Sequence, residues 1–243
     1  MQPSLEQDEI DYLSEHFRLT TTLSPERRGS IDAVGLLERQ GCVSYLDEVS
    51  SLIGSPSKMV TASQFSKRYS YLTVIPSLYA LTVFNKGLDL SIENIHIESV
   101  YQDQNWLPRV RFAHLQVANE PKREEVLETL FAKNLSKVWR SLSETVGISY
   151  SILWENTAIY VYWFYEKRME QEGNPQVNLR IQEDFQYLIH EAPASLFGEK
   201  ENPLAKFYSD PGNRTRKTCC YYYQLSSHHD YCSTCPKVRK KVF

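Results

Sequence analysis

TCCYYYQLSSHHDYCSTCP, residues 218–236, holds four of the chain's five cysteines: Cys219, Cys220, Cys232 and Cys235. Two are adjacent, eleven residues follow, and a C-x-x-C closed by Pro236 completes the set. No other stretch is as specific. Four thiolates in one short segment suit either a tetrahedral zinc ion or an iron–sulfur cluster. The C-x-x-C half fits both. Neighbouring cysteines do not easily turn both side chains onto one ion, whereas a two-iron frame accepts them. The spacing therefore favours iron–sulfur over zinc, with a redox disulfide third. His228 and His229 lie within the loop, but four cysteines already fill a cluster, so both read as loop residues. Tyr221, Tyr222, Tyr223 and Tyr231 flank the cysteines and read as packing that shields a cluster from water.

Charge gathers around this stretch. From Arg214 to the C-terminus there are seven basic residues (Arg214, Arg216, Lys217, Lys237, Arg239, Lys240 and Lys241) against one acid, Asp230. That is a net +6 on a chain whose total is −3, leaving −9 on the remainder. An acidic body argues against non-specific nucleic-acid binding by the whole surface. Arg216 and Lys217, immediately before the cysteine pair, would stabilise a reduced cluster and raise its potential. The basic residues after Pro236 read as a solvated tail, with at most weak attraction to a membrane surface. The acidic start, MQPSLEQDEIDY, has no apolar run of the signal-peptide kind. The longest apolar-aromatic run, 158–165, falls far short of the ~20 residues a membrane span needs. A cytoplasmic location follows as the expectation, and in a reducing compartment clustered thiols are more often metal ligands than disulfides.

Outward from the cysteines, the chain reads as an α+β protein. An N-terminal α/β portion over 1–118 carries a short antiparallel strand pair. A mainly helical C-terminal half over 119–243 ends in the cysteine loop, with residues 214–236 as the binding segment. Ile10, Leu13 and Phe17 recur at helical spacing. Val34 to Leu46 supports one helix containing Cys42, which reads as a small buried hydrophobe. Residues 63–84 read as one helix before Pro76 and another after it, ending near Gly87. LDLSIENIHIES and LPRVRFAHLQVANE (from Leu88 and Leu107) alternate as two antiparallel strands joined by YQDQNW, the first with a shift of phase at Glu93-Asn94. His96 and His114 on these strands read as surface or satisfied side chains. Further helices are expected over 121–146, stopped by Gly147, over 148–170, and from Val177 to before Pro193, as an antiparallel set. No glycine-rich nucleotide fingerprint occurs.

The pattern Arg216-x-x-Cys219-Cys220, a loop, and Cys232-x-x-Cys235-Pro236 resembles the FhuF-type ferric-siderophore reductases. LWENTAIY, with Trp154 and Asn156, and NPLAKFY, from Asn202, are similar to segments of the same family. The loop is one residue longer than the commonest family spacing. The resemblance is specific over roughly 150–236 and general over the first 120 residues. It implies a 2Fe–2S cluster ligated by Cys219, Cys220, Cys232 and Cys235. It also implies one-electron, outer-sphere reduction of ferric siderophores to release Fe(II), with electrons from a ferredoxin-like or reductase donor. Arg216, Lys217 and Tyr223 are candidates for tuning the potential or docking, and the protein is expected to be a monomer. Two other readings remain open at this point: a structural four-cysteine zinc protein that binds a macromolecule, and a 2Fe–2S carrier or sensor.

Overall fold

A computed structural model describes residues 4–103, 105–169, 174–225 and 230–238. His228, His229, Arg239, Lys240 and Lys241 lie outside the described residues. Helix α1 (Gln7–Phe17) opens with a capping box between Glu6 and Glu9 and buries Leu13 and Phe17, as their spacing predicts. The helix expected over Val34–Leu46 is instead two elements. A 3₁₀ turn (Ala33–Leu37) is followed, after an extended Glu38, by α2 (Arg39–Ile53). The break has a visible cause. Gly41 passes so close to Gly35 that a Cβ there would meet the Gly35 carbonyl at 2.4 Å, so the two pieces fold against each other rather than run on. Cys42 is fully buried in α2.

Helix α3 (Lys58–Thr82) is the axis of the molecule. Ser57 caps it, and almost every side chain from Val60 onward is buried. Pro76 does not divide it, contrary to the sequence reading. Packing on all sides holds the helix through the missing N–H, and hydroxyls bond within the adjoining turns: Thr73 Oγ1 donates to Tyr69 O and Ser77 Oγ to Thr73 O. Gly87 is also not the helix stop. It sits in strand β2 (Lys86–Leu88), where a Cβ would lie 2.7 Å from Val126 and 2.9 Å from Pro121.

The expected strand pair is present as β3 (Ile95–Glu98) and β6 (Arg109–Phe112), antiparallel with Ile95 opposite Phe112 and Ile97 opposite Val110. Strand β1 (Ile31–Asp32) adds to the other edge of β3. The phase shift at Glu93-Asn94 is a 3₁₀ turn, Ile92–Asn94. A minimal hairpin of β4 (Tyr101–Gln102) and β5 (Asn105–Trp106) forms the connection, and β7 (Val117–Asn119) pairs with β2. His96 Nδ1 lies 2.5 Å from Asp32 Oδ1, while His114 is exposed.

The rest is helical. A continuous run contains α4 (Arg123–Glu128), a wider π segment and α5 (Ser136–Val146), ending at Gly147 in the left-handed conformation. Helix α6 (Tyr150–Trp163) continues through a π turn to Arg168. Helix α7 (Pro175–Gln186) is capped by Asn174 and followed by a π turn to Glu191. A short α8 (Pro203–Phe207) is capped by Asn202, whose amide also donates to Leu188 O and Ala192 O. One apolar core runs from Leu5 to Phe207 without a break at residue 118. Within it, α3 packs along α6. Their shared face is hydroxylated: Ser63, Ser66, Ser70, Thr73 and Ser77 recur at alternating steps of three and four residues. Ser70 meets Thr157 at 2.9 Å. This α3–α6 seam supports the cysteine segment.

Candidate metal centre

Helix α6 is apolar along most of its length, yet it buries one carboxylate, Glu155, at 1% exposure. Glu155 has lost nearly all contact with water, so its oxygens need donors. Its Oε1 accepts from Lys217 N at 2.6 Å and its Oε2 from Thr218 N at 2.8 Å. Thr218 Oγ1 also donates to Oε2. The buried Arg216 guanidinium lies beside it, with Nε 3.4 Å from Oε2. Two residues ahead of the first cysteine, the backbone is thus clamped onto α6.

Asn156 supplies the second hold. Its Oδ1 accepts from Arg216 Nη2 at 2.6 Å, while its Nδ2 donates to Ser63 O and Ser66 Oγ on α3. Helix α3 also reaches the cysteines directly: Cys220 O accepts from Ser63 Oγ at 2.8 Å and Gln64 Nε2 at 2.6 Å. The far limb of the loop is tied back by Arg216 N donating to Thr234 O at 2.9 Å. Cys235 N donates to Cys232 O, closing the C-x-x-C turn. The small hydroxyls of α3 let its backbone and the cysteine segment approach closely.

All four cysteines are free thiols. Cys220 and Cys235 are buried, and Cys219 and Cys232 half-buried. The Sγ atoms of Cys220 and Cys232 are 3.6 Å apart. Two thiolates bound at about 2.3 Å to one tetrahedral metal lie roughly 3.8 Å apart, so this pair already has the spacing of co-ligands. Their shared hydrogen bond pushes the Cys220 pKa down and the Cys232 pKa up. The positive charges of Lys67 and Arg216 add to the lowering at Cys220. Burial pushes the Cys219 thiol up. Among the described residues, no three His, Cys, Asp or Glu side chains gather around a point fit for a single metal ion. The donor set is all sulfur, two of the four sulfurs are at co-ligand distance, and cationic side chains lie close by. That chemistry fits an anionic iron–sulfur cluster.

Beside Cys232 opens a cavity of about 240 Å³, lined by Lys67, Tyr71, Tyr160, Trp163, Arg216 and residues 232–234 among others. Tyr71 meets Tyr160 edge-on at 5.7 Å and Trp163 at 6.4 Å. Trp163 is 38% exposed. Lys67 Nζ lies over the Tyr222 ring at 5.2 Å, and burial lowers its pKa.

The candidates for tuning or docking, and the basic residues around them, are engaged within the chain. Arg216 is buried against Glu155 and Asn156. Arg214 forms two bonds to Glu166, at 2.6 and 2.7 Å, and lies over the Tyr162 ring. Lys217 Nζ donates to Lys206 O. Tyr223 stacks on Tyr231 at 5.6 Å, with Lys237 over its ring. Tyr222 and Tyr231 are partly exposed, so the four tyrosines do not form the closed shield the sequence suggested. Trp154 packs against Phe131 and Phe197, away from the cysteines. Sequence reasoning missed Glu155, Ser63, Gln64 and Lys67. Glu155 carried a signal: it is the lone charge between Tyr150 and Tyr165 in an otherwise apolar run. The hydroxyl repeat of α3 was a signal too. Lys67 gave none.

Two family models match the chain in tandem. Residues 63–215 match FhuF, described as ferric iron reductase FhuF-like transporter, and residues 216–237 match the FhuF 2Fe-2S C-terminal domain. A protein named ferric siderophore reductase, from Escherichia coli strain K12, is 26% identical over 176 residues, which are 67% of this chain. The aligned part spans 60% of that relative's length. Among solved structures, aerobactin synthetase IucC from a hypervirulent pathotype of Klebsiella pneumoniae aligns with a TM-score of 0.48 at 13% identity, over 72% of this chain and 35% of that one.

Proposed function

The chain belongs to the FhuF family and carries its 2Fe–2S domain, and on that premise we propose that it is a ferric-siderophore reductase. Cys219, Cys220, Cys232 and Cys235 hold the cluster. The 3.6 Å spacing of Cys220 and Cys232 would suit two ligands of one iron, so that the adjacent Cys219 and Cys220 need not share one. When bound, the cluster supplies one electron at a time, and reduction of Fe(III) to Fe(II) turns a tight complex of hard oxygen donors into a labile one. The electron comes from a ferredoxin-like or reductase donor, and no nucleophile or general base is required.

The chain's own residues position and tune. Glu155 and Asn156 fix the backbone before the cysteine pair, and Ser63 and Gln64 fix Cys220. Arg216 brings positive charge beside the cluster, offset by Glu155. Tyr223 and Lys237 cover the Cys219 side. No helix of the described residues is long and apolar enough to cross a membrane; action in the cytoplasm on imported chelates is part of this reading.

One observation carries the reading: two of four clustered thiols stand at co-ligand distance, and one of them, Cys232, lines a cavity together with Lys67 and Arg216. The test is anaerobic purification, iron and sulfide analysis, and dithionite reduction. Excess reductant is then removed and a ferric siderophore added with a colorimetric Fe(II) trap. A coloured protein that bleaches, then releases one Fe(II) per reduced cluster, is expected. A colourless zinc protein, or a reduced cluster that ferric siderophores leave reduced, would sink the proposal.

A further inference from the structure

The cavity beside Cys232 has features the cluster does not need. Three aromatic rings, Tyr71, Tyr160 and Trp163, line it, and Trp163 leaves more than a third of its surface to solvent. Large aromatic side chains are normally covered, and a partly bare set beside a cation marks a ligand surface. Tyr160, whose hydroxyl makes no hydrogen bond among the described residues, is one of the lining side chains. Positive charge is in excess. Lys67 and Arg68 on α3 are half-buried, Arg216 is buried, and Arg18 lies over the Tyr71 ring. Of these four, Arg216 has a carboxylate partner among the described residues, Glu155. Arg68 is held by carbonyls, at Trp106 and Gln64, and by the Trp106 ring.

The volume narrows the ligand. Sites that engulf a drug-sized molecule measure about 300–1,000 Å³, and this one measures about 240 Å³. It has room for one arm of a chelate and not for the whole. An arm that stacks on aromatic walls, accepts from a phenol hydroxyl and carries negative charge toward a lysine is a catecholate.

We propose that this cavity is the docking site for one catecholate arm of an anionic ferric chelate, with the arm between Trp163 and Tyr160 and the iron toward Cys232. The inference rests on the reductase reading and specifies its substrate class. A neutral or cationic chelate built from hydroxamates would gain nothing from Lys67 and would leave the rings unstacked. A citrate chelate would satisfy the charge and not the rings.

The test separates docking from reduction by using gallium(III), which the cluster cannot reduce. Binding of gallium tris-catecholate, gallium citrate and a cationic gallium tris-hydroxamate to the oxidised holoprotein is measured by calorimetry. The tris-catecholate should bind tightest. Trp163→Ala should weaken it about five- to tenfold. Lys67→Gln should weaken both anionic chelates by about tenfold and leave the tris-hydroxamate unchanged. Each variant's visible spectrum confirms that the cluster is retained. Should Trp163→Ala lose the cluster, Tyr160→Phe, which removes one oxygen, should still weaken the tris-catecholate about threefold. Equal binding of citrate and catecholate, tightest binding of the tris-hydroxamate, or variants that bind as the parent does would each overturn the proposal. Failure of the reduced parent to reduce any ferric chelate would instead refute the reductase reading and leave gallium binding as an independent result.

Discussion

Glu155→Gln tests the clamp on the cysteine segment with the least change of shape. The carboxylate is 1% exposed and serves two backbone donors, one hydroxyl and the Arg216 guanidinium. A glutamine has one acceptor oxygen, and its other end is itself a donor. Either orientation turns an NH₂ toward Lys217 N or toward Thr218, leaving at least one buried donor unmet at about 1–3 kcal/mol. The substitution also leaves Arg216, 2% exposed along its side chain, without a counter-charge. Removing one partner of a buried pair costs about 3–5 kcal/mol. The two costs share one group and do not add, so the expected loss is about 3–5 kcal/mol. At an m-value of about 1–3 kcal/mol/M, the urea midpoint of the holoprotein should fall by at least about 1 M. The double variant Glu155→Gln/Arg216→Gln should recover part of that loss, because neither charge is then stranded. The midpoint potential should rise in Glu155→Gln, since Arg216 is no longer balanced. A parental urea midpoint and potential would refute both the clamp and the electrostatic reasoning.

Cys232→Ser should lose most of its iron and sulfide and its iron-releasing activity; a full complement of both would remove Cys232 from the ligand set. Arg216→Ala should lower the cluster's midpoint potential in a dithionite titration, and Arg216→Lys, which keeps a charge, should restore part of the shift. Gly87→Ala should cost about 1–3 kcal/mol in urea unfolding, because its Cβ would press on the rigid ring of Pro121 and on Val126 at under 3 Å. Burial raises the Asp184 carboxyl above its ordinary value, against the lowering influence of Thr82 and Arg123. Its folded form therefore holds its proton more tightly than the unfolded chain does. Its contribution to stability is full below the unfolded value of about 3.9 and fades as pH rises through the folded value. Asp184→Asn should remove that fall from a plot of urea midpoint against pH.

The cysteines and α1 were legible because their signals are local: a ligand spacing, and apolar residues one helical turn apart. The β3–β6 pair was legible for the same reason, down to the change of phase where a 3₁₀ turn precedes Ile95. Pro76 misled because its effect depends on surroundings. In a helix exposed to water it would end the run, but in one buried on every side the neighbouring packing outweighs a missing hydrogen bond. Gly87 misled in a related way. A glycine after an apolar run signals a helix stop, yet here the need is for room against Pro121, a contact between residues 34 apart in sequence. The clamp was half visible. Asn156 stood out by resemblance and Glu155 as a lone charge, but which backbone groups they bind depends on a fold that brings residues 155 and 218 together.

Charge around the cysteines shows why the sequence count could mislead about function. Seven bases crowd the C-terminal stretch, and two of them are balanced away from solvent, Arg214 by Glu166 and Arg216 by Glu155 and Asn156, while Lys217 stays exposed with its Nζ on Lys206 O. The charge that remains unbalanced near the cysteines comes from elsewhere. Lys67 and Arg68 lie on α3, where their neighbours are apolar or hydroxylated and no carboxylate pairs with them among the described residues. Half-buried cations without a counter-charge are costly unless an anion completes the site. A cluster held by four thiolates is such an anion, and an anionic chelate in the adjoining cavity is a second. Loading the cluster should therefore stabilise the fold beyond tethering the loop. In the apoprotein, Lys67→Gln should raise the urea midpoint because it removes a stranded charge. In the holoprotein the same change should be neutral or destabilising. Equal shifts in the two forms would mean that the cluster does not draw on Lys67, and its charge would then be left for the chelate alone.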